Sequence, residues 1–255
     1  MTDLSGKAAI VTGCASGIGA ATVRRLRADG AEVLGTDIND AGGAVLCEEV
    51  GARFAVQDVA DVSLWPVIVA DAVKAWGRLD ILVNNAGTVS SLSIEDVTDE
   101  AWERIYAINI TGTMAGCRAA IKAMKANPGG SSGSIVNISS TSAMGALPTD
   151  VAYCSSKGAV RVLSKSIATH CAKQGYNIRC NTVTPGATDT NILDQAENVA
   201  PGLKEAVAAT SPLNRLADPA ETAAAIAFLA SDDCPYMTGS ELLVDGGMMS
   251  LHPGF

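Results

Sequence analysis

Seven short apolar runs alternate with segments of helical period along this chain, and glycines close most of the helical segments. The runs are "AAIVTG" (8–13), "AEVLGTD" (31–37), "ARFAVQDV" (52–59), "LDILVNNAG" (79–87), "SIVNISS" (134–140), "NIRCNTVTPG" (177–186) and "SELLVDGG" (240–247). Between them lie expected helices at about 18–29, 40–50, 62–76, 99–126, 151–174 and 219–230, with Gly30, Gly51, Gly77 and Gly175 as stops. Pro66 suits only a first helical turn. Strands that are apolar throughout need cover on both faces, and β-α-β repetition makes them parallel. The expected fold class is therefore α/β: one doubly wound parallel sheet of about seven strands with helices on both faces. No linker or composition break divides residues 1–255, so a single domain is expected. Residues 187–216 read as an irregular segment, long for a connection and suited to a lid.

Composition excludes several function classes. The net charge of −9 and 4% aromatic content argue against nucleic acid and anionic membrane surfaces. No apolar run reaches the roughly 18 residues needed to span a bilayer. The start "MTDLSGKAAIVTG" lacks the pattern of a signal peptide, which makes a cytoplasmic location the expectation. Seven scattered cysteines with no C-x-x-C pair fit reduced thiols. With only His170 and His252 available, no metal site is expected.

"TGCASGIG" sets Gly13, Gly17 and Gly19 where a strand turns into a helix. Glycines there allow a tight turn and close approach of a pyrophosphate, and the helix N-terminus offers free N–H donors. The three-residue gap after Gly13 departs from G-x-G-x-x-G. Asp37 ends the second strand 18 residues after Gly19, near the offset of a ribose-binding carboxylate. Such a carboxylate accepts from both adenosine ribose hydroxyls and repels a 2′-phosphate. No Lys or Arg lies in 12–23 or 36–43 to offset that repulsion, so NAD is favoured over NADP. Asp58 and Val59 are placed to border an adenine ring, or simply to form a strand-end turn. "NNAG" (84–87) ends the fourth strand, at the sheet edge where open α/β sheets bind ligands.

In "YCSSK", Tyr153 and Lys157 stand four residues apart, on one face of a helix. A fixed ammonium beside a phenol favours the phenolate and lowers its pKa from about 10, which suits a general acid or base. One decoy is "GGSSG" (129–133), which matches the hydrolase elbow G-x-S-x-G. That elbow requires a strand before the serine and a helix after it, and here the order is reversed.

Taken in order, "TGCASGIG", Asp37, "DV" (58–59), "NNAG", Asn109, "SS" (139–140), "YCSSK" and "PGATDT" (185–190) resemble the short-chain dehydrogenase/reductase family over essentially the full chain. The resemblance implies a Rossmann fold and a catalytic set of Asn109, Ser140, Tyr153 and Lys157. Ser140 precedes Tyr153 by the family's 13 residues. It would hold the substrate oxygen while Tyr153 exchanges the proton. Lys157 would depress the tyrosine pKa and hold a nicotinamide ribose hydroxyl, and Asn109 would bind a water leading from Lys157 to solvent. The resemblance assigns cofactor contacts to Gly13, Ser16, Gly17, Ile18, Gly19, Asp37, Asp58, Val59, Asn85, Ala86, Gly87, Tyr153, Lys157, Pro185, Gly186, Thr188 and Thr190. It implies a homotetramer, or a homodimer, with small residues such as Ala152, Ala159 and Ala168 packing helices closely. The tail "MMSLHPGF" is a second candidate interface.

The segments after the fourth, fifth and sixth strands contain Val89, Leu92, Met144, Leu147, Ile192 and Leu193, which would form an apolar wall. That suits a hydrophobic secondary alcohol or ketone. "CAKQGYNIRCN" and "GSELLVDGG" are similar to bacterial hydroxysteroid dehydrogenases, which points to a cyclic, steroid-like substrate. The alternatives are a 3-oxoacyl-thioester reductase and a non-catalytic nucleotide sensor or scaffold on the same fold.

Overall fold

The computed structural model describes residues 2–199 and 201–250. The elements in chain order are β1 (Ala8–Thr12), α1 (Gly17–Ala28), β2 (Glu32–Asp37), α2 (Asp40–Glu49), β3 (Arg53–Val56), α3 (Trp65–Trp76) and β4 (Ile81–Asn84). They continue with α4 (Asp99–Tyr106), α5 (Thr113–Met124), β5 (Ser132–Ile138), α6 (Val151–Lys173), β6 (Asn177–Pro185), α7 (Asn191–Val199), α8 (Leu203–Ala208), α9 (Pro219–Ala230) and β7 (Glu241–Val244). One parallel sheet carries all seven strands in the order β3-β2-β1-β4-β5-β6-β7.

Strand side chains alternate between two cores. Ala9, Val11, Ile81, Val83 and Val136 face Val23 and Leu26 of α1, Leu46 of α2 and Ile226 of α9. Ile10, Leu82 and Ile135 face Trp65 and Ile68 of α3, Cys117 and Met124 of α5 and Cys171 of α6. Each large aliphatic chain so buried contributes roughly 1.5–3 kcal/mol, so both faces drive sheet closure. Strand order reverses between β1 and β4, and ligands bind outside the strand C-termini at such a point.

Four boundaries differ from expectation. β3 stops at Val56, which leaves Asp58 and Val59 in the following turn. β5 runs Ser132–Ile138, so Ser140 lies just beyond it, where its hydroxyl caps a 3-10 turn, Thr141–Ala143. The single helix expected over 99–126 is broken by a π-helical turn at Ala107–Gly112. The segment 187–216 contains α7 and α8. Ala152 and Ala168 are buried within this chain, so they present no surface to a partner. Of the tail, residues 251–255 lie outside the described residues, as does His252. No helix is long and apolar enough to cross a membrane among the described residues.

Candidate active site

The turn after β1 is built for close approach. Gly13 has φ +66°, and a Cβ there would sit 2.9 Å from the Ala86 Cα. A Cβ on Gly19 would lie 1.9 Å from the Gly13 carbonyl oxygen, so only glycine fits. The turn is locked to the end of β4: the Asn85 and Ala86 amides donate to the Thr12 hydroxyl at 3.1 and 3.0 Å. The Asn85 carboxamide returns to the Thr12 carbonyl at 2.9 Å. Ser16 caps α1 without a side-chain bond, leaving the first-turn amides to the groove.

Asp37 closes the other side of this turn. One carboxylate oxygen accepts from the Ala15 amide at 2.9 Å and the other from the Asn39 amide at 2.8 Å. Beside it, the Gln57 carboxamide is buried with neither its nitrogen nor its oxygen bonded. Buried amides are rarely left so. An unpaired amide, a glycine turn and a fixed carboxylate on one groove fit an adenine dinucleotide.

The helix carrying Tyr153 and Lys157 is fixed to the sheet by a buried polar chain. Asn84 donates to Asn137 at 2.7 Å, and Asn137 donates to Ser164 of α6 at 2.9 Å. Arg161 of α6 makes a bidentate ion pair with Glu241 of β7 at 2.7 Å. These bonds set the depth at which α6 presents its first turns. There the Lys157 ammonium, 5% exposed, donates to the Ile138 carbonyl at 2.9 Å. It lies 5.7 Å from the centre of the Tyr153 ring.

Burial governs both groups. It pushes the Lys157 pKa down to about 8. It pushes the Tyr153 phenol above its ordinary value; contact with the Ser140 hydroxyl pulls the other way, while Asp150 and Cys154 add to the rise. The net shift of the tyrosine is thus upward, and Lys157 is not among the groups that act on it. Desolvation outweighs the Ser140 hydrogen bond, and the Lys157 ammonium is aimed at a strand-end carbonyl.

Asn109 sits inside the π-helical turn, a distortion common at functional sites. Its amide donates to the Thr88 carbonyl at 3.0 Å and the Ser156 hydroxyl at 2.9 Å, and its oxygen accepts from the Thr88 amide at 3.0 Å. Both amide protons are therefore committed to protein. The side chain ties the segment after β4 to α6, and only its oxygen has capacity left for water.

A cleft of about 1120 Å³ joins these parts. Every site residue expected from the sequence lines it except Gly19 and Asn109, which support it from behind. Thr190 meets the glycine turn directly: a Cβ on Gly17 would lie 3.1 Å from its methyl. Of the expected apolar wall, Val89, Leu147 and Leu193 line the cleft, Leu92 and Met144 do not, and the Ile192 side chain lies outside the described residues. Met248 and Met249 line it instead, so this part of the tail faces the cleft. A Cβ on Gly145 would sit 3.5 Å from the Met249 methyl. Sequence reasoning missed Gln57, Asp150 and the two methionines. Asp150 alone carried a local signal, an acidic residue just before a helix. Among the described residues no cluster of three or more His, Cys, Asp or Glu is placed to hold a metal.

The chain matches the family profile described as enoyl-(acyl carrier protein) reductase over residues 13–249. It is 37% identical to an NADP-dependent (R)-specific alcohol dehydrogenase of Lentilactobacillus kefiri, covering 97% of this chain and 98% of that one. It is 36% identical to a 2,5-dichloro-2,5-cyclohexadiene-1,4-diol dehydrogenase of Sphingobium indicum, covering 96% of each. A 3-alpha-(or 20-beta)-hydroxysteroid dehydrogenase of Mycobacterium bovis is 39% identical, with 97% of this chain and 91% of that one covered. A parallel sheet reversing at β1 and β4, a glycine turn at that point and full-length likeness to dehydrogenases agree: the chain belongs to the short-chain dehydrogenase/reductase family of nicotinamide-dependent oxidoreductases.

Proposed function

We propose that this protein is an NAD-dependent oxidoreductase that interconverts a hydrophobic secondary alcohol, cyclic or steroid-like, and its ketone. One observation carries the reading: Ser140, Tyr153 and Lys157 meet in one largely apolar cleft whose other charged lining residues are Asp37, Asp58 and Arg104. Leu147, Leu193, Leu203, Val207 and Met249 supply apolar surface there. The relatives named for steroid and cyclic diol substrates support a ring-shaped alcohol. The relative named NADP-dependent means that likeness alone does not choose the cofactor. The choice of NAD rests on Asp37 and on the absence of Lys or Arg in 12–23 and 36–43.

The glycine turn and α1 would hold the pyrophosphate, and Asp37 the adenosine ribose. Asp58, Val59 and Asn85–Gly87 would border the adenosine half, and Pro185, Gly186, Thr188 and Thr190 the nicotinamide half. When bound, the dinucleotide supplies the hydride acceptor or donor. Ser140 holds the substrate oxygen. Tyr153, as the phenolate, takes the hydroxyl proton during oxidation and so becomes the neutral phenol; as the phenol it gives that proton to the substrate oxygen during reduction. Lys157 holds a cationic charge beside the ring, and Asn109 keeps the Thr88 wall in place. The segment 187–216 closes over the bound pair. In it Lys204 pairs with Asp189 at 2.7 Å and with Asp194, joining α8 to α7 and to the segment that precedes it.

The assembly consistent with this reading is a homotetramer or homodimer in the cytoplasm. Gly158, with open space above it, and Val162, 68% exposed, share one outward face of α6. The free thiols of all seven cysteines suit a reducing compartment.

The test is a screen of cyclohexanols, hydroxysteroids and a 3-oxoacyl thioester with NAD and NADP, reading nicotinamide absorbance. Oxidation of ring alcohols with NAD is the expected result. Preference for the thioester would support the 3-oxoacyl-thioester reductase reading. NAD binding without any turnover would support the sensor reading.

A further inference from the structure

Asp150 is the N-cap of α6 and only 4% exposed. One of its oxygens accepts from the Tyr153 amide at 3.2 Å and from the Ser90 hydroxyl. The other accepts from the Ser90 amide at 3.1 Å and the Ser91 amide at 2.9 Å. All four partners are donors, the pattern of an ionised carboxylate filled on both oxygens. The Val151 amide adds a bond to the Leu92 carbonyl at 3.2 Å. Ser91 adopts φ +54°, a left-handed conformation that costs a non-glycine residue about 1–3 kcal/mol.

An ordinary cap needs a single acceptor, which Ser or Thr supplies. A carboxylate is required only if several donors must be gathered, and here three of the four come from a segment sixty residues away. That segment contributes Thr88 and Val89 to the cleft wall. Asn109 pins it at Thr88 and Asp150 pins it at Ser90 and Ser91.

We propose that Asp150 is a positioning residue: its carboxylate clamps the substrate-side wall 88–91 onto the first turn of α6 and sets the charge against which Tyr153 ionises. The inference rests on the reading that Tyr153 exchanges the substrate proton. The titratable groups set against the phenol are Asp150, Cys154 and Lys157, all from α6. The end of β5 offers the neutral Ser140, and the wall 88–91 carries no charge.

The test is Asp150→Asn, which keeps the shape and one cap acceptor but removes the charge. Tyrosinate absorbance after a pH jump, read before unfolding, gives the Tyr153 transition by subtraction of the same protein carrying Tyr153→Phe. The expected result is a midpoint lower by roughly 0.5–1 pH unit. With NAD and cyclohexanol, kcat/KM falls roughly tenfold through a higher alcohol KM, while NAD binding stays within about twofold. Ser90→Ala, which loses one donor and no charge, raises the alcohol KM and leaves the midpoint in place. An unmoved midpoint in folded Asp150→Asn, or an unchanged alcohol KM in Ser90→Ala, overturns the inference. The titration needs no turnover, so an enzyme inactive on every alcohol sinks the functional reading, and the Tyr153 midpoint in Asp150→Asn then decides this inference alone.

Discussion

The Lys157 ammonium is bonded to the Ile138 carbonyl at 2.9 Å and stands 5.7 Å from the centre of the Tyr153 ring. The lysine is therefore anchored to the end of β5, and only a short gap separates it from the phenol ring. Both groups are desolvated, and that fact governs how each holds its proton.

Lys157 makes stability depend on alkaline pH. Its folded-state pKa lies near 8, below the 10.5 of a free lysine. Between those values the unfolded chain binds the extra proton, so stability rises as pH climbs through that window. Below pH 8 the full penalty is present. Lys157→Met removes it, at the loss of one hydrogen bond. Thermal melts at pH 7 should show the variant more stable by about 1–3 kcal/mol, with the rise between pH 8 and 10 absent. A less stable variant with the same slope would contradict this.

Asp37→Asn removes a charge and keeps the shape of a side chain that caps Ala15 and Asn39. A carboxylate beside a 2′-phosphate costs on the order of 1–3 kcal/mol at a partly solvated site. The ratio of kcat/KM for NAD over NADP should fall about tenfold or more. Steady-state kinetics with both cofactors checks this, and an unchanged ratio would remove Asp37 from cofactor choice.

Met249→Ala opens the cleft wall next to Gly145. Loss of methylene-sized contacts at about 0.8 kcal/mol each should raise the KM of small ring alcohols roughly tenfold. Hydroxysteroids should gain relative to cyclohexanols in competition. Equal effects on both sizes would place Met249 outside the substrate's reach.

The parts of this account that were legible in the sequence are those written locally. The glycine stops, Pro66 in the first turn of α3, the turn at Gly13 and the Tyr153–Lys157 spacing all follow from backbone and helix geometry a few residues long. The π-helical turn at Ala107–Gly112 has no such local cause. It is held by Asn109 reaching Thr88 and Ser156, 21 and 47 residues away. Asp150 could be read as a cap, but its bonds to Ser90 and Ser91 required the fold. Met249 lines the cleft beside Gly145, a meeting of residues far apart in the chain that required the fold. The sign of the Tyr153 shift depended on the desolvation of the phenol within the fold, which spacing does not encode.

The most direct test is turnover by Tyr153→Phe, which removes one oxygen from a half-buried ring and leaves the cofactor cleft intact. With NAD and a ring alcohol, kcat should drop by about 10²–10⁴-fold, while NAD binding, read by fluorescence titration, changes by less than about threefold. Turnover close to that of the unaltered enzyme would contradict the assignment of the proton transfer to Tyr153.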